Sequence, residues 1–556
     1  MSDSPTNGAE RFPTALASLP SPESGPHALS ASEEEDALSQ VAAQVGDRIG
    51  RPVDRWAVVA TLESMGFRDV DAQRAFDLPD LFALGTRIYP ILQEEADPGP
   101  SQSRRSSLLS KNLLQTVWSY ARGALFVAPM VLQIASVLLL GYSLWAWLYF
   151  SEAQATVVAL GTLLSFVVTG GFVQSIGREG HLYLAQGNPR LAYTACRRLI
   201  GLGMLTVVGV TLFFVVTNAV FPYYPASLMG ISAVYFVLLS ALWLSLSLLY
   251  VLDHLSAIAV ITLVGIGPVF GVMTYTDWGI YVAHGLGLTL SVLLAYGYGT
   301  YWLRRRIRRS SNDKDASLPP LSIQIHRLRT YFGYGLCFFT FLSIDRVIAW
   351  SVARPEPLPY VIWFRTPYEL GIDWALLSLL CTLAVLQHTV QQLSDWLFPN
   401  DHSMTVPIGV ATTLVKRFHL RQLVFVLLVG GGSIAGTYFG ITALEQSSLL
   451  QNETVLMGSP TTTTVFWGAA FGYLFLAVGL HNLLFPLILS KPGVSLRAFL
   501  YALGANALVG LVLSRIVSYE WAVFGLLVGG LVLAVFSFIK TRQFLDAFPY
   551  HYYAAY

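Results

Sequence analysis

Residues 199–221 read LIGLGMLTVVGVTLFFVVTNAVF, a run without a single charged side chain. About 20 predominantly apolar residues are enough for a helix to cross a bilayer, so this run predicts a membrane-spanning helix. The composition of the whole chain agrees, because 54% of its 556 residues are hydrophobic and only 12% are charged. Soluble proteins carry about 25% charged residues. The composition therefore excludes an ordinary soluble enzyme.

Similar apolar stretches recur as far as residue 540. Together they predict an all-α polytopic membrane protein with twelve transmembrane helices. The predicted spans are 123–148, 154–177, 199–221, 228–250, 257–275, 279–303, 331–352, 366–388, 420–443, 463–487, 498–516 and 520–540.

The basic residues indicate how these spans are oriented. If the N-terminus is cytoplasmic, the inside loops hold roughly 19 Lys and Arg, at 178–198, 304–329, 416–421, 491–497 and 540–542. The outside loops and their margins hold three, Arg354, Arg365 and Arg515. Cytoplasmic loops of membrane proteins carry the excess of basic residues. We therefore expect a multi-pass membrane protein with both termini cytoplasmic; the family resemblance given below implies the inner (plasma) membrane.

Loop lengths divide the spans into two sets of six. In each set a long inside loop joins the second and third spans, and a short one joins the fourth and fifth. This repeat predicts an N-lobe at residues 116–303, a cytoplasmic inter-lobe loop at 304–328 and a C-lobe at 329–556. The first long loop, 181–198, mixes apolar and basic residues, so it predicts a helix lying along the cytoplasmic leaflet.

The N-terminal region has a different composition. Residues 1–37 are rich in Ser, Pro and acidic residues, which predicts disorder. Apolar residues recur at roughly helical spacing over 38–95, which predicts a small helical cytoplasmic domain. A Ser- and Arg-containing linker follows at 96–115.

Several segments of the membrane part resemble a known family. These are GREGHLYLAQGNPRLAYTACRRLIGLGMLTVVGVTLFFV (177–215), FFTFLSIDRVIAW (338–350), FRTPYELGIDWALLSLL (364–380) and RQFLDAFPYHYYAAY (542–556). They are similar to the multidrug/oligosaccharidyl-lipid/polysaccharide (MOP) exporter superfamily, and most like its Pel exopolysaccharide transporter (PelG) branch. The resemblance implies a V-shaped, MATE-like transporter with a central cavity between two six-helix lobes. It also implies export of a polysaccharide or lipid-linked glycan.

Five ionisable residues concentrate in the seventh and eighth spans, and they are the candidate transport or coupling residues. Asp345 and Arg346 belong to the seventh, whereas Arg365, Glu369 and Asp373 recur every four residues and share one helix face. A charge at the bilayer centre costs about 2.5–3.5 kcal/mol on insertion scales, so such residues need partners or a wet cavity.

Two interpretations of this cluster stay open. The groups could be ion pairs that pin the helices near the outer interface. Alternatively, one of the acids could exchange a proton or bind a cation, with Asp373 the first candidate and Asp345 the second. In that case Arg346 and Arg365 would be counter-charges or contacts for an anionic sugar.

Three uncharged residues are candidate substrate contacts. Tyr368 and Trp374 share the eighth span with the charges, and their flat rings could stack on sugar C–H faces. Gln133 follows Pro129 in the first span, where a broken helix could open onto a cavity. Membership of the interfacial aromatic belt is the alternative for the two aromatic residues.

These observations together predict an exporter or flippase of an exopolysaccharide or lipid-linked glycan that works by alternating access, and not an enzyme. No nucleotide-binding or metal-ligand motif is seen, so we expect no cofactor and coupling to H⁺ or Na⁺. Expected partners are the glycan, membrane lipids and a cytoplasmic glycosyltransferase or another assembly protein, and no nucleic acid. The alternatives are a cation-coupled multidrug or small-molecule antiporter of the same superfamily, and a non-transporting scaffold of a polysaccharide synthase.

Overall fold

A computed structural model describes residues 31–49, 52, 54–94, 123, 125, 127–309, 317–353, 362–397, 408–446, 457 and 459–553. Within these residues it is all-α. By its internal contacts the chain divides into two compact units, residues 1–112 with 391–418, and residues 113–390 with 419–556.

The N-terminal helices are α1 (Ala31–Ile49), α2 (Arg55–Ser64), α3 (Asp69–Phe76) and α4 (Leu81–Glu94). They pack around a core of their own that includes the fully buried Val45, Leu62 and Ile88. The small helical domain is therefore present. Helix α1 begins at Ala31, so residues 31–37 are helical and the predicted disorder is wrong for them; residues 1–30 lie outside the described residues, as does almost all of the predicted linker.

The membrane part contains helices on either side of the predicted lobe boundary. The N-lobe has α5 (Ala128–Leu140), α6 (Glu152–Ala185), α7 (Pro189–Val220), α8 (Ala226–Val251), α9 (Leu255–Tyr275) and α10 (Ile280–Arg309). The C-lobe has α11 (Leu321–Phe341), α12 (Ile344–Trp350), α13 (Thr366–Leu397), α14 (Ile408–Gln446), α15 (Pro460–Ile488), α16 (Pro492–Ile516), α17 (Val523–Asp546) and α18 (Phe548–Tyr553).

Eleven of the described helical segments are long and apolar enough to span a bilayer. They coincide with the second to twelfth predicted spans, and α11 and α12 together form the seventh. Apolar side chains remain exposed along them, as on α7, where Leu205, Leu212 and Phe213 are exposed. An apolar surface on a spanning helix is the surface that faces lipid.

The first predicted span, 123–148, is wrong in its extent. Helix α5 has 13 residues and ends at Leu140, because Gly141 adopts the left-handed φ of 81° that terminates helices. The chain then turns back through an antiparallel bridge between Tyr142 and Trp147. Ser136 Oγ donates to the carbonyl of Tyr142 at 2.7 Å, so the turn is tied to the helix.

The predicted leaflet helix at 181–198 is also wrong. Helix α6 continues to Ala185 and α7 begins at Pro189, so only a tight turn separates two spanning helices. Gly187 takes a positive φ of 71° in that turn, and Asn188 Oδ1 caps α7 by accepting from the backbone of Leu191 at 3.1 Å. The basic residues of this segment therefore lie on extensions of α6 and α7.

The two lobes repeat one turn in detail. Between α8 and α9, Leu252, Asp253 and His254 donate to carbonyls four, three and five residues earlier. Between α15 and α16, residues 489–491 make the same three backbone bonds. Asp253 (φ 59°) and Ser490 (φ 58°) occupy the matching left-handed position. The same three bonds also close α2 at residues 65–67 and α6 at 186–188, so this turn is a general way of ending a helix in this chain.

Each lobe has its own hydrophobic core. One cluster runs from Tyr142 to Leu328 and the other from Tyr334 to Ala534. The lobes meet where α6 packs on α11. Glycines permit this close approach: a Cβ on Gly170 would lie 3.0 Å from the carbonyl oxygen of Gly335. We call the α6–α11 contact the lobe seam.

Substitution of Gly335 by Leu tests the lobe seam. The added side chain has no room against α6, so we expect a loss of about 1–3 kcal/mol of stability from overpacking. The measurement is the apparent Tm of the purified protein in detergent. Gly209→Leu on α7 is the matched control, because a Cβ added to Gly209 would have no neighbouring atom within 4 Å. Equal Tm values for the two variants would contradict close packing at the seam.

Candidate functional site

The charged residues of the seventh span lie just beyond a break in that span. Helix α11 ends at Phe341 and α12 begins at Ile344, so the hydrogen-bond ladder is interrupted between them. Asn506 on α16 reaches into the break, and its Nδ2 donates to the carbonyl of Phe341 at 3.0 Å. The break places Asp345 and Arg346 in the first turn of a short helix that packs against α16.

Arg346 bridges two carboxylates of α13. Its Nη1 lies 2.8 Å from Glu369 Oε2, and its Nη2 lies 3.3 Å from Asp373 Oδ1. Both carboxylates can reach one guanidinium because residues four apart share a helix face. Trp350 Nε1 donates to the other oxygen of Glu369 at 2.9 Å. We call Arg346, Glu369 and Asp373 the ion-paired triad.

The members of the triad differ in their access to the surroundings. The side chains of Arg346 and Glu369 are 15% and 7% exposed, whereas that of Asp373 is 62% exposed. With all three groups ionised the triad carries a net charge of −1. The excess negative charge is thus reachable at Asp373, which could take up a proton, bind a cation or contact a ligand.

Asp345 stands apart from these ion pairs. It is fully buried, and its Oδ2 accepts a hydrogen bond from the Tyr368 hydroxyl at 2.9 Å. Oδ1 is buried and has no hydrogen-bond partner within the described part of the chain. A carboxylate buried beside a hydroxyl, without a direct contact to a cation, is a second place where a proton or cation could be held.

Arg365 is also separate from the triad. It precedes the first turn of α13, its Nη2 donates to the carbonyl of Val352 at 2.6 Å, and its guanidinium lies 4.6 Å from the centroid of the Tyr519 ring. The cluster of five groups expected from the sequence is therefore a triad with two neighbours that make other contacts.

The three candidate substrate contacts are buried in this conformation. Tyr368 is fully buried and Trp374 is 7% exposed, and both belong to the C-lobe core. Gln133 is buried in the middle of α5, and its Oε1 accepts from the backbone N–H of Leu144 at 3.0 Å. Gln133 thus holds the turn that follows the short first helix.

Other polar groups pair across the lobes in ways that the sequence did not reveal. Glu179 on α6 contacts Arg327 and Gln324 on α11. Arg327 entered the sequence interpretation only as one of many inside basic residues. No local pattern connects positions that are about 150 residues apart, so only the packing of α6 on α11 identifies this pair.

Metal ligands are not grouped among the described residues. No set of three or more His, Cys, Asp or Glu side chains there is placed to hold a metal ion. Buried histidines have other partners: His284 Nδ1 pairs with the Tyr235 hydroxyl, and His481 Nε2 donates to the carbonyl of His419 at 3.1 Å.

Comparison with solved structures identifies the architecture. The outward-facing conformation of a multidrug resistance MATE family transporter of the MOP superfamily matches with a TM-score of 0.53, at 13% identity, over 80% of this chain and 98% of that one. The chain has the MATE transporter fold. The inward-facing conformation of such a transporter matches with a TM-score of 0.51 at 12% identity over the same shares. MATE in complex with MaD3S gives 0.55 at 11% identity, again over 80% and 98%.

Comparison of the sequence itself finds no relatives. No family model matches the chain, and no curated protein does. The MATE transporter fold confirms the expected all-α, two-lobed fold class, and identities this low show the fold alone.

A double-mutant cycle tests the triad. Arg346→Gln leaves Glu369 buried without its cation, and removing one partner of a buried pair costs about 3–5 kcal/mol. We expect Arg346→Gln to lower the apparent Tm strongly, and the double variant Arg346→Gln/Glu369→Gln to recover part of the loss. Arg197→Gln, at an exposed position on α7, is the matched control. Strictly additive effects of the two substitutions would contradict a direct pair.

Proposed function

We propose that this protein is an inner-membrane exporter or flippase that moves an exopolysaccharide or a lipid-linked glycan by alternating access. The observation that carries the proposal is the fold: two six-helix lobes with separate cores, as in transporters solved in outward-facing and inward-facing conformations. Two lobes that keep their own cores can tilt against each other without exposing either core.

The resemblance of the sequence supports a glycan as the substrate. The segments 177–215, 338–350, 364–380 and 542–556 are similar to the Pel exopolysaccharide transporter branch. The third of them holds Glu369 and Asp373, so the resemblance extends to the triad. Sugar chains are polar and long, and their transport needs a water-filled path with few strong binding sites. Arg346 and Arg365 are the basic groups of the candidate site that could contact an anionic sugar.

Coupling to H⁺ or Na⁺ is proposed at Asp373, with Asp345 as the second candidate. Asp373 is the exposed carboxylate of a triad with a net negative charge. Uptake of one cation at Asp373 would bring the net charge of the triad to zero. The ion pairing between Arg346 and the carboxylates of α13 would then be weaker. Ion binding would thereby loosen the contact between α12 and α13.

The N-terminal domain is proposed to be cytoplasmic and to dock a glycosyltransferase or another assembly protein. Its helices belong to the same compact unit as residues 391–418, which join the eighth and ninth spans on the side that the basic residues mark as inside. Trp56 and Phe82 are exposed on the domain and pack edge to face with a centroid distance of 5.2 Å.

A cation-coupled multidrug antiporter is the second candidate, favoured by a different observation. A net negative triad with one exposed carboxylate suits a cationic drug. The two candidate functions predict different phenotypes for a strain in which the gene is deleted.

Deletion of the gene separates the candidates. For a glycan exporter we expect secreted polysaccharide, stained on whole cells, to fall at least tenfold while drug susceptibility stays unchanged. For an antiporter we expect the reverse. Complementation with the intact gene is the control. Normal secretion in the deletion strain would overturn the glycan proposal.

Asp373→Asn tests the coupling site. The substitution keeps the size of the side chain and removes the exposed charge, so we expect secretion to fall at least tenfold at normal membrane abundance. Asp345→Asn should reduce it as well. Asp277→Asn, in the exposed turn between α9 and α10, is the matched control and should secrete normally. Unchanged secretion by Asp373→Asn would remove the coupling role of that residue.

A further inference from the structure

The lobe seam ends in a buried ion pair. Glu179 on α6 is fully buried, and both of its carboxylate oxygens are bound by the other lobe. Oε1 contacts the guanidinium of Arg327, and Oε2 accepts from Gln324 Nε2 at 3.3 Å. Arg327 also donates to the Tyr183 hydroxyl at 3.1 Å. An N-lobe carboxylate is therefore held by two side chains of α11.

The middle of the seam is held by apolar packing. Phe166 stacks on Phe339 with a centroid distance of 5.7 Å and an angle of 11° between the rings. Gly170 and Gly171 allow the backbones of α6 and α11 to approach. Contacts of this kind can slide or pivot, because they do not depend on fixed donor and acceptor positions.

Beyond the seam, at the other end of α6, the lobes are joined by hydrogen bonds to the residues that precede α13. Thr156 Oγ1 accepts from the backbone N–H of Phe364 at 3.0 Å, and the Tyr224 hydroxyl donates to the carbonyl of Ile362 at 2.8 Å. Trp363 Nε1 adds an exposed bond to Glu152 at 2.9 Å. Groups of this kind can exchange their protein partners for water when the lobes part.

The two ends of the interface between the lobes therefore differ in the interactions that must break when the lobes separate. Parting the lobes near Glu179 leaves an acidic group without the cation that compensates its burial, unless water or another cation replaces Arg327. The side chain of Arg327 is 42% exposed, so its charge is easily solvated once it is released. The free-energy cost of opening this end of the seam thus arises mainly from the buried carboxylate of Glu179.

We propose that Glu179 and Arg327 form an inter-lobe latch that holds the transport path closed at this end of the seam. The inference rests on the proposed alternating-access function. By the distribution of basic residues this end is cytoplasmic, so the latch is engaged when the path is closed to the cytoplasm and must break when the path opens there. Gln324 and Tyr183 are positioning residues that align the guanidinium with the carboxylate.

The latch is tested by the distance between the lobes in the purified full-length protein, without substrate. Nitroxide labels are attached at Gln186→Cys and Arg329→Cys, which are exposed positions on either side of the seam, after Cys196, Cys337 and Cys381 are replaced by Ser. The spin–spin distance distribution is then measured by pulsed electron resonance. Glu179→Gln and Arg327→Gln should each increase the population of the longer, open distance at least threefold.

The exchanged pair Glu179→Arg/Arg327→Glu should return the open population toward that of the parent protein. A merely local structural role would lower the Tm of the variants without shifting the distances. Arg197→Gln, which removes an exposed basic side chain on α7, is the control and should leave the distribution unchanged. If Glu179→Gln does not fold, Arg327→Gln alone decides, because that side chain is partly exposed.

An unchanged distribution in the single variants overturns the latch. This outcome is independent of the proposed function, because the distances are measured without substrate, whereas secretion by the deletion strain reports on transport alone. Secretion that is lost in the deletion strain but insensitive to the latch variants, together with unchanged distances, would leave the exporter intact and remove the latch.

Discussion

A peptide group in hydrocarbon has no water to bond with, so each interruption of a spanning helix must be repaired from within the protein. The seventh span shows how this constraint builds a site. Its ladder breaks between Phe341 and Ile344, and Asn506 supplies a donor to the carbonyl that the break releases. The break turns Arg346 toward two carboxylates of α13. The interruption of the seventh span and the ion-paired triad are thus parts of one structural feature.

The same constraint explains the polar residues at the first helix. Gln133 and Ser136 bond to backbone groups of the turn that follows α5, so their side chains replace the bonds lost at Gly141. Buried polar side chains in this protein therefore divide into two kinds. Some repair the backbone, as Gln133 and Asn506 do, whereas others meet other side chains, as Glu369 and Glu179 do. The second kind marks the places where lobes or helices are joined by charge.

The spans were predictable from apolar length alone, because a helix must cross about 30 Å of hydrocarbon whatever its neighbours are. The repeat of long and short loops predicted two six-helix lobes, although the first of the long loops is a tight turn between two extended helices. Interruptions were harder to foresee: nothing near Leu342 and Ser343 resembles a helix breaker, and the break depends on Asn506, more than 160 residues away. A charged cluster was predicted because Arg365, Glu369 and Asp373 recur every four residues, but which of its members pair was not predicted. Glu179 and Arg327 share no local pattern. Pairing between helices is decided by packing, which a single sequence does not contain.

The turns at Asp253 and Ser490 show how little the end of a spanning helix demands of the amino-acid sequence. An acidic residue and a hydroxyl residue adopt the same rare backbone angle, and the three surrounding bonds involve main-chain atoms only. Such a turn can survive the replacement of every side chain around it. Main-chain geometry alone is therefore enough to redirect the chain after a spanning helix, which leaves the side chains at such turns free to vary.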